Sequence, residues 1–174
     1  MNTLSSIGLD IDGVLADFRT TWHKLYPEIP PNPHSYHFDD EILERYELMK
    51  KAGTLDDFFL SLKPLIKPED IPFEPKCYIT ARPVESKISE QWLDKIGFPK
   101  KKVFTVPCGT SKVSVANDAD IEIFIDDYYK NFKELNEAGI FTYLYTARSN
   151  LKYDVGDMRL NSLKELPLLT QLFN

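Results

Sequence analysis

Residues 6–18, SIGLDIDGVLADF, constrain the fold of this chain more than any other stretch. Ile7, Leu9 and Ile11 form an apolar lead-in, the pattern of a strand covered by helices on both faces. Asp10 and Asp12 stand at its end. Two positions apart on an extended chain, their carboxylates point the same way. Like charges at the mouth of an apolar core demand a cation or a hydrogen-bonding partner. Gly13 follows and lets the backbone turn sharply beside a ligand. A calcium-binding EF-hand loop is excluded, because it needs Gly at position six and Glu at position twelve; counted from Asp10, Gly13 is fourth and Thr21 twelfth. Taken alone, Asp12 or Asp17 also suits a helix cap.

The 174 residues suffice for one buried core and a modest insertion. A net charge of −6 argues against a binder of polymeric nucleic acid, which needs a basic face. Lys100, Lys101 and Lys102 form a basic cluster that reads as a solvated turn before a strand. No apolar run reaches membrane-spanning length, and the N-terminus lacks a charged region followed by an apolar segment. A cytoplasmic protein without a membrane partner is therefore expected. Cys77 and Cys108 make neither a metal spacing nor a disulfide framework, and Cys77 reads as a small core residue.

Residues 18–26 read as a short helix stopped by PEIPPNP. Asp39 and Asp40 are placed to cap a helix running to Ala52, with Ile42, Tyr46 and Met49 on one face and Gly53 as its stop. Thr54 with Asp57 resembles a capping box opening a helix over FFLSLKP, ended by Pro64. Beyond this helical stretch strands and helices alternate. Strands are expected at 76–80, 103–106, 121–125 and 141–145. Helices are expected from Pro83 to Gly97, over 112–117 and up to Ala138. With the first strand, this predicts an α/β fold: a five-stranded parallel sheet flanked by helices, with a small helical cap inserted after the first strand. Residues 1–18 and 74–174 then form the core and 19–73 the cap. The C-terminal LKELPLLTQLF reads as a packing helix disturbed by Pro167.

Ligands of open parallel sheets bind at the carboxyl ends of the strands. Asp10 and Asp12 end the first strand, Thr80 the second, and Asp126 and Asp127 the fourth, while Lys112 opens the helix before it. Alone, Thr80 reads as a β-favouring residue finishing a strand and Lys112 as a solvated lysine at a helix end. The paired Asp126 and Asp127 exceed what a helix cap needs. Carboxylates without a cysteine or histidine cluster suit Mg²⁺, and the set suits phosphoryl transfer from a monoester.

DIDGVLADF resembles the first motif of the haloacid dehalogenase (HAD) superfamily of phosphohydrolases, and its GVLADF continuation is similar to the 5′(3′)-deoxyribonucleotidase branch. The likeness recurs in order along nearly the whole chain and implies a HAD-like Rossmannoid core with a small cap. It assigns Asp10 the nucleophile, and Asp12 the general acid that protonates the leaving alkoxide and then activates water. A carboxylate at this second position separates the family's phosphatases from its dehalogenases and ATPases. By the same resemblance, Mg²⁺ is held by Asp10, the backbone carbonyl of Asp12 and the Asp126–Asp127 pair, with Asp127 the direct ligand and Asp126 behind it. Thr80 hydrogen-bonds a phosphoryl oxygen and Lys112 adds positive charge.

On the substrate side the resemblance places Phe18, Thr80, Ala81 and Lys112. Trp22, Tyr36 and Phe38 either stack on a base or pack the cap core. FFLSLKPL resembles the end of the family's cap. Two departures stand out. Ala81, Arg82 and Pro83 follow Thr80 where the animal enzymes have Ser-Pro, and TARSN replaces a Pro-Tyr-Asn ending. Arg82 contacts phosphate or braces the turn, the latter being favoured. The expectation is a Mg²⁺-dependent phosphomonoester hydrolase acting on deoxynucleotides. A hydrolase of another small phosphate monoester, such as a sugar phosphate, and a non-catalytic phospho-ligand module are the alternatives. Homodimerisation is expected from relatives.

Overall fold

The structure is a computed structural model and describes residues 6–28 and 40–166. Tyr36, Phe38 and Asp39, and the C-terminal segment from Pro167 onward, lie outside the described residues. In chain order the elements are β1 (Ile7–Leu9), β2 (Ala16–Asp17), α1 (Phe18–Leu25), α2 (Asp40–Ala52), α3 (Leu55–Leu60), β3 (Lys63–Pro64), β4 (Cys77–Ala81), α4 (Ser86–Ile96), β5 (Lys102–Val106), α5 (Val113–Asp118), β6 (Ile123–Asp126), α6 (Tyr129–Glu137), β7 (Phe141–Tyr145) and β8 (Arg159–Leu160).

Six strands form one parallel sheet in the order β5-β4-β1-β6-β7-β8. The α/β class is as the alternation predicts, and the five expected strands are present. The sixth, β8, corrects the expected count. Its two residues follow a polar stretch and carry no periodicity to read. They join the edge because Thr146 N donates to Leu160 O at 2.8 Å.

Successive side chains of a strand face opposite ways, and the sheet uses both faces. Leu9, Tyr78 and Ile125 belong to one apolar cluster, while Cys77, Ile79 and Phe124 belong to another on the far side. Cys77 is a buried core residue, as read from the sequence. The first cluster extends into α1, α2 and α3 through Phe18, Trp22, Ile42, Tyr46, Phe58 and Phe59.

β2 and β3 pair antiparallel, Ala16 with Pro64 and Asp17 with Lys63. This two-stranded clasp joins the chain where it enters the helical insertion to the chain where it leaves. Asp17 caps α1 by accepting from Thr20 N at 3.0 Å. Thr54 does not build the expected capping box: its hydroxyl donates to Met49 O at 3.4 Å. α3 also stops at Leu60, short of Pro64, because Ser61 Oγ donates to Phe58 O at 2.7 Å and the chain then turns into the clasp. Nor does α4 begin at Pro83. Residues 82–85 form a turn that carries Arg82 inward, and the helix starts at Ser86.

α4 buries Ile88, Trp92 and Leu93, and ends at Gly97, whose left-handed φ of 95° lets its N–H reach Leu93 O. Trp92 Nε1 donates to Leu62 O at 2.8 Å, which ties the exit of the insertion to the core. Among the described residues, no helix is long and apolar enough to cross a membrane.

Candidate active site

The site is built where the strands end. Asp10 N still donates to Ile125 O at 3.0 Å, so the residue leaves the sheet pinned to β6. Its carboxylate accepts from Ile11 N at 2.8 Å. The chain then closes a tight loop in which Leu15 N and Ala16 N both donate to Ile11 O, at 2.8 and 2.9 Å. Gly13, at φ 84°, is the residue that permits this turn. The loop swings Asp12 toward β4 and presses Gly13 against Asp127.

Lys112 lies almost wholly buried between two carboxylates. Its Nζ is 2.9 Å from Asp10 Oδ1 and 2.7 Å from Asp126 Oδ2. Burial works against its positive charge, but Asp10 and Asp126 outweigh that and raise its pKa. Asp126 is further held by Tyr128 N on Oδ1 at 2.8 Å and by Asn131 Nδ2 on Oδ2 at 3.0 Å. Asp10 is pushed up from 3.8 to about 8, first by burial and then by Asp126, with Lys112 pulling the other way. One lysine does not balance this many carboxylates, and such a cluster leaves room for a further cation.

Asp10, Asp126 and Asp127 each offer a carboxylate oxygen, and these oxygens lie within 4.8 Å of one another. Three buried hard donors converging on one point fit a hard divalent cation such as Mg²⁺. Both Asp126 oxygens already accept from lysine, amide or main-chain donors, whereas Asp127 lines the cavity itself. Thr80, at the end of β4, is fully buried, and its Oγ1 finds no hydrogen-bond partner among the described residues. Leaving such a hydroxyl unsatisfied costs roughly 1–3 kcal/mol, the cost a ligand oxygen would remove.

The predicted residues meet at one cavity of about 30 Å³, lined by Asp10, Asp12, Phe18, Thr80, Ala81, Lys112 and Asp127. Asp126 sits just behind it. Tyr46, Tyr128 and Asn131 complete the lining without having been singled out as site residues from the sequence. Tyr46 reads there only as the buried face of a helix, and its hydroxyl is held well above its ordinary pKa, chiefly by burial. Phe18 stacks on Trp22 at 5.5 Å and meets Phe58 edge-on at 5.6 Å. Trp22 packs within this aromatic group rather than on the cavity.

Two further residues organise the site. Arg82 does brace its surroundings, but the partner is Asp12: Nε donates to Oδ2 at 2.8 Å and Nη2 to Oδ1 at 2.7 Å. Asn150, the last residue of TARSN, donates to both Asp127 O and Tyr145 O at 2.7 Å and accepts from Ala147 N and Arg159 Nη1. It fastens the Asp127 main chain to the end of β7.

No family model matches the sequence, and no curated protein matches it. Solved structures do match. An L-2-haloacid dehalogenase superposes with a TM-score of 0.61 at 12% identity, over 96% of this chain and 98% of that one. A β-phosphoglucomutase from Clostridium difficile gives a TM-score of 0.57 at 16% identity, over 98% and 97%. Both neighbours are members of the HAD superfamily. The fold is HAD-like. In this HAD-like core the carboxylates, lysine and threonine gather at the carboxyl edge of the sheet, where the topology places ligands.

Proposed function

We infer that the chain is a Mg²⁺-dependent phosphomonoester hydrolase, with deoxynucleoside monophosphates as its first candidate substrates. The observation that carries this reading is the orphaned Thr80 hydroxyl on the cavity that also holds Asp10 and Lys112. A donor with no partner, beside a buried cation and a carboxylate, suits a phosphoryl group.

In the proposed reaction an Asp10 oxygen attacks phosphorus while the bond to the leaving oxygen breaks. Asp12 delivers its proton to that oxygen, so the leaving group departs as an alcohol. Asp12, now a carboxylate, takes a proton from water as the water oxygen attacks phosphorus and the Asp10–phosphorus bond breaks. Inorganic phosphate and free Asp10 result. Thr80 and Lys112 hold phosphoryl oxygens through both steps. Asp10, Asp127 and the main-chain carbonyl of Asp12 would hold Mg²⁺, which when bound supplies positive charge to the phosphoryl oxygens.

The deoxynucleotide assignment rests on the GVLADF and FFLSLKPL likeness and on Phe18 at the cavity. A second reading, a smaller phosphate monoester such as a sugar phosphate, is favoured by the two departures from the deoxyribonucleotidase pattern, at residues 81–83 and at TARSN. The cavity of about 30 Å³ is roughly one water's share of liquid, so it admits neither substrate whole and does not choose between them. Phosphate release from deoxynucleoside, nucleoside and sugar monophosphates, with and without EDTA, tests these readings. Turnover of deoxynucleotides that EDTA abolishes is expected. Turnover of sugar phosphates alone favours the second reading. Activity that survives metal removal overturns the Mg²⁺ assignment. Binding without turnover of any of them makes the chain a phospho-ligand module.

A further inference from the structure

Among the described residues Arg82 is the largest charged side chain sealed inside the protein, and its surroundings specify an orientation. The guanidinium presents Nε and Nη2 to the two oxygens of Asp12 as a paired fork, while Nη1 donates to Ser89 Oγ at 3.0 Å. Its carbon lies 4.9 Å from the Phe59 ring centroid and 5.9 Å from that of Trp92. Ser89 and Trp92 belong to α4 of the core, and Phe59 belongs to α3 of the insertion. Arg82 is thus held from both sides by structure and reaches Asp12 from across 70 residues of chain.

A turn needs no such device. A buried guanidinium is costly to desolvate, and a main-chain carbonyl serves to brace a turn. A fork of two parallel N–H···O bonds does what a single bond cannot: it fixes the plane of the carboxylate as well as its position. Asp12 sits on a glycine-containing loop, so without the fork its side chain turns about two single bonds. With it, one lone pair on each oxygen is engaged by Arg82, and the remaining ones are available on the cavity that Asp12 lines. Proton transfer to a leaving oxygen requires the acid within hydrogen-bond reach and correctly aligned.

We propose that Arg82 is a positioning residue that aims Asp12 at the leaving oxygen, with Ser89, Trp92 and Phe59 setting the aim. This rests on the phosphatase reading and adds to it a residue that touches neither substrate nor metal. Arg82→Lys keeps the charge but loses the fork, and Ser89→Ala keeps the fork but loosens its support.

The test compares para-nitrophenyl phosphate, whose leaving group departs without a proton, with β-glycerophosphate, whose alkoxide needs one. Arg82→Lys is expected to lower kcat/KM on β-glycerophosphate by at least about tenfold, a part of what proton donation contributes. On the aryl ester kcat/KM, which reports the phosphorylation step alone, is expected to stay within about threefold, whereas kcat falls on both esters where Asp12's activation of water limits turnover. Ser89→Ala should shift the ratio the same way by a smaller factor, and it carries the test by itself if Arg82→Lys does not fold. An equal loss of kcat/KM on both esters, or no loss on either, makes Arg82 a structural brace and overturns the proposal. A wild-type protein that releases phosphate from neither ester nor any of the nucleoside and sugar monophosphates overturns the phosphatase reading instead, and the role of Arg82 with it.

Discussion

Gly13 and Asp127, remote in sequence, are in such close contact that a Cβ on the glycine would lie 2.0 Å from Asp127 Oδ2. The first loop and the turn after β6 therefore define each other. Gly13→Ala must both displace that carboxylate and hold φ at 84°, a conformation costing a side chain on the order of 1–3 kcal/mol. A lower melting temperature and loss of phosphatase activity are the expected results. A variant with wild-type turnover would show that the contact does not set the site.

Asp10→Asn should abolish turnover, since an amide does not serve as the nucleophile. Stability should respond differently. Burial and Asp126 both disfavour charge at Asp10, so its neutral replacement relieves repulsion while Lys112 keeps Asp126 as a partner. The metal-free variant is expected to melt no lower than wild type at pH 8. A marked drop would mean that the Asp10–Lys112 contact outweighs the repulsion.

The same residue sets a pH dependence. Asp10 is held near 8 in the folded, metal-free protein against an ordinary 3.8, so the folded state keeps a proton that the unfolded chain releases. That contribution to stability is complete below about pH 4 and is lost as the pH rises through 8. Melting temperature in EDTA should fall across this window, and the stabilisation by added Mg²⁺ should grow across it. Thermal melts at several pH values, each with EDTA or Mg²⁺, check both trends. Asp10→Asn should flatten the first.

Asn150→Ala removes both hydrogen bonds by which its side chain holds the buried Asp127 and Tyr145 carbonyls. Residues that orient metal ligands typically contribute about 10–100-fold to metal affinity. Mg²⁺ binding measured by calorimetry should weaken by about tenfold or more in this variant. Unchanged Mg²⁺ affinity would leave Asn150 a purely structural anchor of the β7 end.

Much of the fold was legible because burial on both faces of the sheet leaves its mark in local pattern. IGL, CYIT, IFI and FTYLY each announce a strand, and their alternation with amphipathic helices dictates the parallel topology. What escaped was held by long-range partners. β8 exists because Thr146 and Asn150 receive it, and α3 stops at Ser61 because the chain leaves to pair with β2. Nothing in RL or in SLKP signals either event.

The candidate site divides in the same way. Asp10, Asp12, Thr80, Lys112, Asp126 and Asp127 were readable because each sits at or beside a strand end, and strand ends share an edge whatever the side-chain details. Arg82, Asn131 and Asn150 depend on where a side chain travels after leaving the backbone. From sequence alone Arg82 either contacted phosphate or braced its turn, the latter favoured; only the packing of α3 and α4 around its guanidinium aims it at Asp12. The chain's local pattern thus decided the sheet and the gathering of acidic groups at its edge, because periodicity and strand ends are local properties. Tertiary structure alone decided which groups face one another and how small the cavity between them is, because those distances are sums over contacts that no short segment contains.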